Sequence, residues 1–175
     1  MAVFVLLTVG MLADRGSAEN VYELPLDNMP KKQSPTGYIP HEPIYINGNA
    51  QFNSTNGVVS GNGSISNPFV IGNWDINASN NVGISIVNTS DFFIIKNCTI
   101  QNGGKNPQYM SFEGLLLLNV TCGKIENNTI IYNGDGILIH SSSKIIITNN
   151  SFSGNYMHGI KIFNSTNKLY RCRII

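Results

Sequence analysis

The chain has 175 residues and a formal charge of +1, and only 12% of its residues are charged. So sparse and balanced a charge offers no basic field for a phosphate backbone, which excludes nucleic acid as the expected partner. The 17 glycines, the excess of Asn, Ser, Thr and Ile, and the lack of any 3.6-residue period between 19 and 175 exclude a helical protein.

Ala2 to Leu12 is apolar but too short to span a bilayer, and the small residues Gly16-Ser17-Ala18 follow it. Residues 1–18 therefore read as a secretory signal, without the usual positive start, cut after Ala18. The mature chain is then expected to lack a transmembrane span and to be secreted, periplasmic or at the cell surface. Residues 19–40 carry four prolines and the pair Lys31-Lys32, and read as an extended linker or cap. From 41 to 175 the pattern becomes regular. Gly57, Gly61 and Gly63 suit tight turns leading into it, and Pro68 suits a strand start, where it removes no ladder bond.

Two ladders of repeats follow. In the first, Val70-Ile-Gly-Asn-Trp-Asp-Ile76 aligns with Ile94–Ile100, Lys124–Ile130 and Ile146–Phe152. It puts Asn73, Asn97, Asn127 and Asn149 in one column, Ile71, Ile95, Ile125 and Ile147 in a second, and Ile76, Ile100, Ile130 and Phe152 in a third. The second ladder begins at Gly83, Gly114, Gly136 and Gly159, at spacings of 31, 22 and 23 residues; the long one holds an insertion, Asn102 to Phe112. Alternating apolar residues at such a period mean one solenoid coil per repeat. Stacked about 4.8 Å apart, the coils place like residues over like. Ile84, Leu115, Ile137 and Ile160 are expected inside, with Ile86, Leu117, Ile139 and Ile162. Positions 85, 116, 138 and 161 are expected outside, where Leu116 and Leu138 make an apolar stripe. The asparagine column belongs at corners, because Asn tolerates left-handed backbone; its members 97, 127 and 149 are expected to be buried there.

Cys98, Cys122 and Cys172 fit neither a zinc spacing nor a disulfide pattern. Lys168–Ile175 starts another repeat, with Cys172 where a fifth Asn would fall, and stops in mid-coil. The chain is therefore expected to be the N-terminal piece of a longer protein.

The segment His41–Phe52, followed by Asn56–Ile71 and the coils, resembles exported right-handed parallel β-helix proteins of the NosD-like kind, within the wider pectate-lyase-like group. The resemblance covers roughly 38–170 and implies an all-β, right-handed parallel β-helix with about 22–24 residues per coil, of a class that includes carbohydrate-binding proteins and sugar hydrolases. It also implies a link to copper, although no Met- or His-rich cluster supports one.

The column before each ladder glycine reads Val82, Glu113, Asp135, His158. On adjacent strands Glu113, Asp135 and His158 are candidates for general acid–base chemistry on a sugar, with outward His140 and Lys161 on the same sheet. Two carboxylates are thin for Ca²⁺, so no metal or cofactor is expected. Sequons are plentiful, and Asn53, Asn88, Asn119 and Asn164 are the glycosylation candidates among them. The sequence favours a non-catalytic extracytoplasmic solenoid binding polysaccharide or an envelope protein along one face. A polysaccharide lyase or hydrolase and a NosD-like copper-accessory protein are the alternatives.

Overall fold

The computed structural model describes residues 37–79, 81–103, 105–106, 110–170 and 173–174. The expected signal segment 1–18, linker residues 19–36 and Cys172 lie outside them. The strands are β1 (Ile39–His41), β2 (Ile44–Asn47), β3 (Val58–Ser60), β4 (Phe69–Gly72), β5 (Trp74–Asn77), β6 (Ile84–Thr89), β7 (Phe93–Lys96) and β8 (Thr99–Gln101). A small antiparallel hairpin, β9 (Lys105–Asn106) and β10 (Met110–Ser111), fills the insertion. After it come β11 (Leu115–Val120), β12 (Gly123–Glu126), β13 (Thr129–Ile131), β14 (Asp135–His140), β15 (Ser143–Thr148), β16 (Ser151–Ser153), β17 (His158–Phe163), β18 (Thr166–Tyr170) and β19 (Arg173–Ile174).

These strands form three sheets. The first runs β1-β5-β8-β13-β16-β19, the second β2-β6-β11-β14-β17 and the third β3-β4-β7-β12-β15-β18. Every pairing in them is parallel except β3 with β4. Each full coil supplies one strand to each sheet, which is a parallel β-helix. Among the described residues the first strand is β1, which pairs in parallel with β5.

The core is built from the apolar columns. Register pairs Ile84, Leu115, Ile137 and Ile160 across the second sheet, and Ile71, Ile95, Ile125 and Ile147 across the third. Ile76, Ile100, Ile130 and Phe152 line up in the first. All are buried except Ile160, which is half-buried at the last coil, as is Ile162. At one end, stacked Phe52 and Phe69 lie 4.7 Å apart and cover Phe93, while Trp74 donates its indole N–H to the Gly57 carbonyl at 2.8 Å.

Ladder glycines mark where neighbouring coils crowd. A Cβ on Gly114 would sit 2.8 Å from both the Gly136 carbonyl oxygen and Ile130 Cγ2, and one on Gly136 would strike the Gly159 carbonyl. No side chain fits there. Outside the same sheet, Tyr45, Ser85, Leu116, Leu138 and Lys161 form one row. Ser85 is buried rather than exposed, because its short side chain lies between those of Tyr45 and Leu116.

Asparagine takes two roles, one residue apart. Asn73, Asn97, Asn127 and Asn149 turn the corner from the third sheet to the first with φ of 65, 52, 56 and 55°. The burial expected of Asn97, Asn127 and Asn149 is corrected: Asn97 is half-buried, and Asn127 and Asn149 face solvent, as Asn73 does, because a left-handed corner turns its side chain outward. One amide bond joins members of this column, from Asn97 Nδ2 to Asn73 Oδ1 at 3.4 Å. The buried ladder is the next column, Asn128 and Asn150, beneath Cys98. Asn150 Oδ1 accepts from the Asn128 backbone N–H at 2.9 Å, Asn128 Oδ1 accepts from the Cys98 N–H at 2.9 Å, and Asn150 Nδ2 donates to the Ile125 carbonyl at 2.8 Å. Asn133 and Asn155 make the equivalent bonds at the corner leading to the second sheet. Buried backbone groups at corners need partners, and these amides supply them.

Candidate functional site

The outer face of the second sheet gathers the chemistry at β14 and β17. Register sets Asp135 beside His158, Leu138 beside Lys161 and His140 beside Phe163. The Asp135 carboxylate is buried, with its side chain 5% exposed, yet two cationic-capable groups meet it. His158 Nδ1 lies 2.8 Å from Asp135 Oδ1, and Lys161 Nζ lies 3.7 Å from Oδ2. A buried carboxylate is tolerated only with such partners. Because the carboxylate accepts, the Nδ1 proton of His158 points at it, and Nε2 is left for another group. The His158 ring is half exposed.

Lys161 also stands over the Phe163 ring, 5.3 Å from its centroid, in a cation–π contact. The His140 ring lies 6.3 Å from Phe163, tilted by 48°, and its Nδ1 is 3.1 Å from Ser141 Oγ. Phe163 keeps 49% of its surface exposed, large for an aromatic ring on a sheet face. An open aromatic ring and an imidazole thus stand at one end of the β14–β17 pair and a second imidazole at the other, with the Lys161 ammonium between them.

Of the three acid–base candidates, the structure brings Asp135 and His158 together and leaves Glu113 apart. Glu113 is half-buried, and its carboxylate makes no hydrogen bond or ion pair among the described residues. Lys161 and Phe163 complete the cluster; their signal in the sequence was the outward parity of β17. Among the described residues, no group of three or more His, Cys, Asp or Glu side chains stands close enough to hold a metal ion. Among them, too, no helix is long and apolar enough to cross a membrane.

The glycosylation candidates lie at corners. Asn88, Asn119 and Asn164 are exposed, with their Nδ2 atoms donating along a surface ladder: Asn119 to Asn88 at 2.8 Å, Asn88 to Asn47 at 3.0 Å and Asn164 to Ser141 Oγ at 3.4 Å. Asn53 is exposed and caps a short turn, its Oδ1 accepting from the Asn56 N–H at 3.1 Å.

Residues 38–174 match the family described as right handed beta helix region. No curated protein matches the chain. Among solved structures it is similar to the enzymatically active domain of tailspike protein 2 from bacteriophage CBA120, at 13% identity and a TM-score of 0.50. That likeness covers 61% of this chain and 20% of the tailspike chain, so the sequence spans about a fifth of that structure's length. At such identity the likeness speaks to the fold alone.

Proposed function

The chain belongs to the right-handed β-helix family, and from that premise we propose that it is a non-catalytic, exported solenoid that binds carbohydrate along the outer face of its second sheet. The observation that carries this reading is the exposed Phe163 ring flanked by His140 and Lys161, with Lys161 also reaching the Asp135–His158 pair at the other end of the strands. A sugar ring offers an apolar C–H face and a rim of hydroxyls. An open aromatic ring takes the first, and imidazole and ammonium groups take the second. Parallel strands add a flat, extended surface on which successive sugars of a polymer could lie. The apolar stretch at 2–12, read as a secretory signal, supports a place outside the cytoplasm, where such polymers occur.

The test is a glycan array probed with the full chain, followed by affinity measurement on the hits. At least one oligosaccharide binds, and Phe163→Ala weakens it about tenfold or more while the circular dichroism is unchanged. Absence of any glycan ligand, or a Phe163→Ala variant that binds as tightly, overturns the reading.

One observation favours a second reading, a polysaccharide lyase or hydrolase. The Asp135–His158 bond orients an imidazole with its second nitrogen outward, as a general base requires. On that reading the chain cleaves a polysaccharide, and Asp135→Ala abolishes cleavage without unfolding it. Inactivity of the wild-type chain on a broad polysaccharide panel removes this alternative.

A further inference from the structure

A second recess lies on a different face. The turn closed by the Ser64–Asn67 bridge stands beside the outer surface of the third sheet, leaving an open groove of about 420 Å³. That volume lies within the usual range for small-molecule sites. Ile65, Phe92, Ile94 and Ile146 make its lining largely apolar. Ile65 is 77% exposed, an unusual setting for so large an aliphatic side chain on a turn. Ile94, Lys124 and Ile146 occupy one outward row by register, so an ammonium stem crosses an aliphatic strip.

The charge at this groove is specific. Lys124 is already paired with Glu126 at 2.8 Å. Lys144, also in the lining, is exposed and has no ion-pair or hydrogen-bond partner among the described residues. It sits with φ of 56° where the pairing of β15 with β18 shifts register between Ser143 and Ile146. Cys122, beside it in register one coil away, shares the left-handed backbone at φ of 69°, so this corner is a feature of the coil and holds the Lys144 side chain at the edge of the groove. One uncompensated cation beside an apolar trough matches a ligand with a long apolar tail and a single negative charge.

We propose that this groove binds a long-chain fatty carboxylate, its tail along Ile65, Phe92, Ile94 and Ile146 and its head at Lys144. Among the described residues that line the groove Lys144 is the one unpaired ammonium, so it half-matches a dianionic phosphate head, and a neutral head leaves it unused.

Cys122 lines the same groove and is half-buried, so it reports occupancy, while Cys98 is buried. The experiment uses the full chain in a Cys172→Ser background and follows the rate of Cys122 alkylation as dodecanoate is added below its micelle concentration. The expected result is saturable protection. Lys144→Asn, which keeps the left-handed backbone accessible, weakens it about fivefold. Ile65→Ser, on an exposed turn remote from the core, weakens it about tenfold. Dodecanol protects less well than dodecanoate. The proposal is overturned if dodecanoate leaves alkylation unchanged, if either variant shifts protection less than twofold, or if dodecanol protects equally.

Discussion

At the scale of single residues, this protein separates two uses of asparagine that lie side by side in the chain. Asn127 bends the backbone into the left-handed region and faces water, whereas Asn128 is buried and feeds its amide into the corner. Their substitutions should diverge. Asn127→Gly keeps the corner conformation and should change stability by less than about 0.5 kcal/mol in urea denaturation. Asn150→Ala strands the Asn128 N–H and the Ile125 carbonyl, and should cost about 3 kcal/mol. The repeated asparagine column was legible because its spacing follows the coil. The buried ladder was less so, since Asn128 and Asn150 share their column with Trp74 and Cys98; the doublets Asn127-Asn128 and Asn149-Asn150 were its signal. Cysteine chemistry divides in the same local way. Burial pushes the Cys98 thiol up to about 11, against smaller opposing hydrogen bonds from the Trp74 and Asn73 backbone. At pH 8 Cys98 should therefore resist alkylation in the folded chain while Cys122 reacts, a difference read by mass spectrometry of the digested protein.

At the scale of strands and corners, the aliphatic columns and the ladder glycines carry the architecture. Ile84, Ile95 and Ile100 recur at coil spacing, and periodicity alone sorts them to the inside. Gly136→Val should destabilise the fold by about 3 kcal/mol or more, because its Cβ meets the next coil's backbone, which cannot give way as a side chain can. An Ile95→Ala cavity should cost a comparable 2–5 kcal/mol, roughly, by the same denaturant measurement. The candidate site was only half legible at this scale. Stacking of the column before each glycine set Asp135 beside His158, but two ion-pair contacts to one buried carboxylate depend on how far Lys161 and His158 reach, which spacing does not encode. The groove on the third sheet was not legible, because it needs the turn at Ser64–Asn67 and an irregular Lys144 to meet across coils far apart in sequence.

At the scale of the whole solenoid, three sheets give three outward faces, and two of them carry distinct chemistry. The Phe163 cluster lies on the second sheet and the Lys144 groove on the third, with no shared residue. Dodecanoate and a glycan should therefore bind without competing, each leaving the other's affinity within twofold, a point that a mixed titration checks. The most direct test of the account is backbone amide mapping by NMR, titrating a glycan-array hit into the folded chain. Shifts should concentrate at His140, His158, Lys161 and Phe163, with Ile65, Lys124 and Ile146 unmoved. Shifts confined to the third sheet, or spread evenly over the molecule, would contradict a carbohydrate face on the second.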